Sequence, residues 1–250
     1  MESATAIVLR VVPWSESSLV VTLFSREAGK VRAVAKGARR PKSAFDASLD
    51  VLALVKVVFI RKTSDALDIL TESRLLRRFR LAGHHLAPLY AAYYVIELLG
   101  ELTDDYDPQP GLFDDAVATL SRLAGATRGN EQVAPILISF ELAAFRHLGY
   151  PPTLDSCSEC GREVAPRGRV AFSPATGGVL CPLCRPGKRQ VISLSENARL
   201  HMARLSHQDP STLESANTVP LETANELRRT LNQYTIHILG RKPRLHDYLR

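Results

Sequence analysis

Cysteine is scarce in this chain of 250 residues: there are four, and each stands in a Cys-x-x-Cys pair. Aromatic residues make up 6% and tryptophan occurs once, so ring stacking has few carriers. No apolar run approaches the roughly 20 residues a membrane-spanning helix needs. Met1–Arg10 lacks the basic start and long apolar segment of a secretory signal. A cytoplasmic protein is therefore expected, where thiols stay reduced and disulfides are rare, which favours a metal for the cysteines. There is no P-loop, and His84-His85 has no matched Ser or Cys nucleophile, so an enzyme is not expected.

The hydrophobic share of 45% and charged share of 23% are those of a globular protein with one good core or two smaller ones. The net charge of +6 is unevenly spread. Residues 1–62 hold eleven Lys or Arg against five acids, whereas 83–127 hold seven acids and Arg122 as the sole cation. Such asymmetry suggests separate surfaces for separate partners, or simply solvated faces that differ.

Residues 1–80 read as strands. Ala4–Arg10, Ser18–Phe24, Lys30–Lys36, Leu49–Ile60 and Leu67–Ser73 are rich in Val, Ile and Leu, with Gly29, Gly37 and Pro41 as breaks. Period two turns Val31, Ala33 and Ala35 inward and Lys30, Arg32, Val34 and Lys36 outward. The nearly unbroken apolar run Leu49–Ile60 predicts a strand buried on both sides. About five short strands suit a small closed barrel of the OB type. Residues 81–250 read as a helical domain, with helices at His85–Leu102, Leu112–Ala124, Glu131–Leu148, Glu196–Leu205 and Leu221–Leu239. Ser193 with Glu196 has the capping-box spacing before the fourth of these. The aromatic residues of the first three helices suit a core stripe or a partner groove. The fold class expected is thus α+β: an OB barrel, then helices that carry a four-cysteine insertion at about 151–190.

Cys157, Cys160, Cys181 and Cys184 form two pairs twenty residues apart, the spacing of a four-cysteine zinc ribbon or knuckle. A two-residue gap lets one tight turn aim two sulfurs at an ion, and two such turns complete a tetrahedron. One structural Zn2+ is expected. Four thiolates leave no open position for an activated water, and a redox role for Cys181–Cys184 is the remaining alternative.

Gly29–Lys42 carries six cations and no acid: Lys30, Arg32, Lys36, Arg39, Arg40 and Lys42. A charged strand face with an adjoining basic loop forms a track for nucleic-acid phosphates without base specificity, although a solvated basic loop has the same pattern. Trp14, Phe24 and Phe45 are the nearby rings, and Trp14 and Phe24 suit a core equally well.

Several segments, in order, resemble the bacterial RecO recombination mediators. They are Ala6–Arg10 with Trp14–Ser18, Gly29–Ser43, Gly149–Asp155 leading into Cys157, and Phe172–Pro174 with Gly177–Cys181. The resemblance runs the length of the chain and implies an N-terminal OB fold, a helical domain and a zinc-bearing insertion. It also implies binding to single- and double-stranded DNA and annealing of complementary strands. With RecR, such proteins help load RecA onto DNA coated by single-strand-binding protein, in the cytoplasm at the nucleoid. That partner's acidic tail would need cations beside an apolar pocket, for which Arg122, Arg128 and Arg146 are candidates. Pro243, in the closing Gly240–Leu245, departs from the family's pattern. A zinc-ribbon regulator with a sequence-specific DNA site is the alternative function, and a zinc hydrolase a third.

Overall fold

The computed structural model describes residues 1–41, 43, 45, 48–63, 66–79, 86–126, 130–165, 167–207 and 219–249. It is an α+β protein whose N-terminal strands close into a five-stranded barrel. These are β1 (Glu2–Pro13), β2 (Leu19–Ser25), β3 (Gly29–Ala35), β4 (Ala53–Ile60) and β5 (Asp68–Arg78). The order around the barrel is β1-β2-β3-β5-β4, closed by β4 on β1, with β3–β5 the one parallel pair. This is the OB arrangement, and closure leaves no open sheet edge. Alternation decides what is inside: Ala4, Ala6, Val8, Val21, Leu23, Val31, Ala33, Ala35, Val55, Val57 and Phe59 share one core.

Two expectations need correction here. The run Leu49–Ile60 is not one strand buried on both sides: β4 begins at Ala53 and alternates buried with half-buried positions. A small barrel has one interior, so Leu54 and Val58 must face outward. Leu49 instead joins the core from the segment before β4, where Leu52, also buried, adopts a φ of 67°. Strand β5 runs past the expected end at Ser73 to Arg78, which pairs with Ala53.

The helices are α1 (Leu86–Leu102), α2 (Pro110–Ala124), α3 (Asn130–His147), α4 (Glu196–Ser206) and α5 (Leu221–Leu239). No helix among the described residues is long and apolar enough to cross a membrane. Contacts divide the chain into two compact units. The first takes in residues 1–82 and 92–125, and the second 83–91 and 126–250. A boundary was expected near residue 80; the barrel's unit also includes most of α1, all of α2 and the acidic turn between them.

That turn is held by the barrel's own cations. The Lys30 ammonium is largely covered; it donates to the Gly100 carbonyl at 2.9 Å and to the Thr103 carbonyl. Asp105 accepts from Arg32 at 2.5 Å, and its other oxygen lies 3.8 Å from Lys30. Arg26 grips Asp114 with two bonds of 2.9 and 3.0 Å. Tyr106 donates its hydroxyl to Asp68, a fully buried carboxylate that also accepts the Lys62 N–H at 2.8 Å. Burial and then that bond push the Tyr106 phenol well above its ordinary range. Phe24 and Phe113 meet at 6.2 Å between centroids.

The second unit packs α3, α4 and α5 beside a small antiparallel sheet of β6 (Val170–Ser173), β7 (Gly178–Leu180) and β8 (Ile192–Leu194), ordered β7-β6-β8. The sequence shows little sign of this sheet. Its core includes Leu137, Phe140, Phe145, Phe172, Leu227 and Leu231, with Tyr234 edge-on to Phe145 and Phe172. Among these apolar residues Arg228 donates to Glu141, both charges being buried. The capping box expected at Ser193 does not form, because Ser193 lies in β8. Ser195 is the N-cap of α4, accepting from the Ala198 N–H at 3.2 Å. Glu226 of α5 takes the place of a helix carboxylate, accepting from the Ser195 N–H at 2.8 Å and its hydroxyl at 2.5 Å.

Gly29 tests the join between the acidic turn and the barrel. Its φ is +70°, and a Cβ there would lie 2.2 Å from the Asp107 carbonyl oxygen. Gly29→Ala should lower stability by roughly 2–4 kcal/mol, from backbone strain and a backbone clash together. Urea unfolding of the two proteins side by side measures it, and an unshifted midpoint contradicts this packing.

Candidate functional site

The cysteines lie in the second unit on two knuckles. Cys157 opens a turn closed by the Gly161 N–H donating to the Cys157 carbonyl at 2.8 Å, with the Cys157 N–H donating to the Arg162 carbonyl at 2.8 Å. Cys181 follows β7 directly, and its carbonyl accepts from the Cys184 and Arg185 N–H groups, both at 3.1 Å. The knuckles are pinned together where the Ser158 N–H donates to the Val179 carbonyl at 2.9 Å. Gly178 permits this approach: a Cβ there would stand 2.5 Å from the Thr153 carbonyl oxygen and 2.9 Å from the Ser158 Cβ.

The four Sγ atoms lie within 4.8 Å of one another, and those of Cys160 and Cys181 are 3.8 Å apart. All four thiols are free. A tetrahedral ion with metal–sulfur bonds of about 2.3 Å sets sulfur–sulfur edges of about 3.8 Å, so the donors fit such an ion. Burial resists ionisation of Cys157, but backbone N–H groups of Cys181, Cys160 and Glu159 outweigh it and bring the thiol down to about 6. The Cys184 N–H, against burial, lowers Cys181 as well. Hydrogen bonds to Cys160 and Cys181 hold the proton on Cys184, which is pushed up to about 12. At Cys157 and Cys181, backbone donors aimed at sulfur thus favour the thiolate form that a metal requires.

The expected cations of the first unit do not act alike. Lys30 is turned onto carbonyls and Arg32 onto Asp105, as described above. Lys36, Arg39 and Arg40 are exposed just past β3. Arg39 braces two loops, its N–H donating to the Ser17 carbonyl at 3.0 Å and its Nη1 to the Ser15 carbonyl at 3.1 Å. Lys36 and Arg40 form no ion pair among the described residues. Lys42 lies outside the described residues. Elsewhere on the barrel Arg26, Lys56 and Arg78 face Asp114, Glu27 and Asp50. Of the three rings, Phe24 and Phe45 are core, and Trp14 is 66% exposed.

A cleft of about 1070 Å³ opens in the second unit, lined by Val133, Leu137, Ile192 and Leu221 with Arg228 and Arg229 beside them. Sequence reasoning did not find it, because its walls come from separate elements. Arg122 belongs to the other unit, Arg146 donates to the Ser206 carbonyl at 2.8 Å, and Arg128 lies outside the described residues.

Comparison with known proteins agrees along the whole chain. Residues 1–79 match the family described as Recombination protein O N terminal, and residues 84–246 that described as Recombination protein O C terminal. A DNA repair protein RecO of Rhodopirellula baltica is 38% identical, covering 98% of this chain and 97% of its own. Its counterpart in an Anaeromyxobacter species is 36% identical over 95% and 91%. That of Myxococcus xanthus is 33% identical over 98% and 95%.

The cysteine cluster predicts that Cys157→Ser releases bound metal and costs at least about 3 kcal/mol of stability, since a structural ion contributes folding energy directly. Elemental analysis paired with calorimetry tests this. A variant that keeps both metal and melting temperature rules out the cluster as a metal centre.

Proposed function

The chain belongs to the RecO family of DNA repair proteins, and we propose that it binds DNA through the rim of its barrel and anneals complementary strands. With RecR it helps load RecA onto DNA coated by single-strand-binding protein. The observation that carries the DNA reading is the cluster of exposed charge just past β3. Among the described residues Lys36 and Arg40 pair with no acid, and Arg39 holds the loops that present them. Loop cations meet phosphates without reading bases, which suits a protein that must accept any sequence. Family membership supports the partners. No catalytic centre is needed, because base pairing supplies the free energy and the protein relieves phosphate repulsion. The ion is Zn2+, serving as scaffold, since four thiolates make a closed site.

The acidic tail of single-strand-binding protein docks in the second unit's cleft, where Arg229 meets its charge and the apolar walls take its hydrophobic residues. Charge complementarity supports this occupant.

Two measurements test the reading. Replacing Lys36 and Arg40 together by Ala should weaken DNA binding and flatten the dependence of log affinity on log salt by roughly 1.5, as two phosphate contacts require. Unchanged affinity and slope would mean the rim is merely solvated, and strong discrimination among duplex sequences would favour a regulator. Separately, Arg229→Glu should weaken binding of a labelled acidic-tail peptide roughly tenfold, the loss expected on reversing a contacting charge, while leaving DNA affinity intact. Equal peptide binding by both proteins removes the cleft as the dock.

A further inference from the structure

The chain's one tryptophan is placed where a core residue has no reason to be. Trp14 begins the turn between β1 and β2, and its N–H donates to the Ser18 carbonyl at 3.0 Å. Its side chain stands 66% exposed, whereas Phe24, Phe45 and Phe59 of the barrel are buried. The indole borders a shallow cleft of about 390 Å³ whose other walls include Ser15, Ser18, Lys36, Gly37 and Arg40. Arg40 lies over Gly37, where a Cβ would stand 3.7 Å from its Cδ. Arg39 fixes the geometry by bonding the Ser15 and Ser17 carbonyls across to the loop after β3. The exposed indole thereby shares one cleft with Lys36 and Arg40, which pair with no acid among the described residues.

We infer that Trp14 is a stacking platform for one unpaired nucleobase, and that it makes the barrel prefer single-stranded over double-stranded DNA. This rests on the DNA-binding reading above and supplies what that reading lacks, a distinction between the two forms. Cations hold phosphates of either form, because each phosphate carries a negative charge in both. An indole face can pair only with a base whose own face is free, and every base offers one, so the contact is indifferent to sequence. In a duplex the faces are stacked on neighbouring pairs. When two bound strands pair, the base leaves the indole and the product is held less tightly than the substrate. A protein that anneals without consuming nucleotide gains turnover from such a difference.

Because Trp14 is the sole tryptophan, emission excited at the red edge of its absorption, where tyrosine scarcely absorbs, reports this contact alone. Oligothymidylate should quench the emission of the full-length protein, and a matched duplex should not. By anisotropy of labelled DNA, Trp14→Ala should bind oligothymidylate about tenfold more weakly, within the range for loss of one stacked base. Its duplex affinity and salt slope should be unchanged, since no charge is removed. Trp14→Phe should recover most of the loss. Tight binding of oligothymidylate with unaltered emission overturns the proposal, as does equal weakening of both forms in Trp14→Ala. If the wild-type protein binds neither form at low salt, the DNA-binding reading fails and takes this one with it.

Discussion

The ammonium group of Lys30 sits where water scarcely reaches, and a charge so placed must be met by protein oxygens. It is met by the carbonyls of Gly100 and Thr103 and by the nearby carboxylate of Asp105. From that requirement the composition of the first unit follows. The end of α1 has to lie against β3, the acidic turn follows it, and Tyr106 is brought to the buried Asp68. The Tyr106 N–H then donates to the Lys30 carbonyl at 3.0 Å, so side chain and backbone of one residue both hold the turn. Surface ion pairs such as Arg26–Asp114, exposed to solvent and screened by it, add to this arrangement but do not dictate it. Part of the acidic stretch, Asp105 and Asp114, consequently serves as the barrel's own counter-charge. The charges left over are those beyond its reach, at the far end of β3.

In the second unit polar groups are satisfied in a different way. The turn-rich segment 151–190 has short strands and few apolar residues, and its order comes from backbone bonds between knuckles and from four converging thiols. Glu226 ties α5 to the start of α4, and Arg169 donates to both Glu226 and Ser193 at 2.9 and 2.8 Å. The buried Arg228–Glu141 pair is poor evidence of net stabilisation, since desolvation offsets most of its attraction. Losing one partner would leave a stranded charge, so it does restrict how α3 and α5 can pack. On the proposed reading the cysteines belong to the scaffold, and the DNA-binding surface lies on the other unit.

Much of this was legible in the residues. Period two in Lys30–Lys36 placed Val31, Ala33 and Ala35 in the core, where each is fully buried. The helices were expected within a residue or two of their ends, and the cysteine spacing led straight to the cluster. What stayed hidden depended on distant partners. Lys30 and Lys36 share one strand face in the sequence, and only the carbonyls of Gly100 and Thr103 distinguish them. Strands of three and four residues among Pro and Gly are too short to show a period. Leu49–Ile60 looked uniformly buried because turn residues and strand residues filled the same core from two directions. Ser193 and Ser195 are equally good caps until β8 claims the first.

The rim charges and the buried ammonium are two outcomes of one run of sequence, and their separation bears on the proposed activity. A cation paired within the fold offers a phosphate little, because binding would first have to break the internal pair. A cation on a braced loop pays no such penalty and loses less freedom on contact, since Arg39 has already set the loop. Adding a rigid aromatic face beside it introduces selectivity of another kind, for exposed bases rather than for a base sequence. Charge of that sort brings strands together, and stacking of that sort lets go once they have paired. The proposed annealing draws on both, and neither demands a catalytic group.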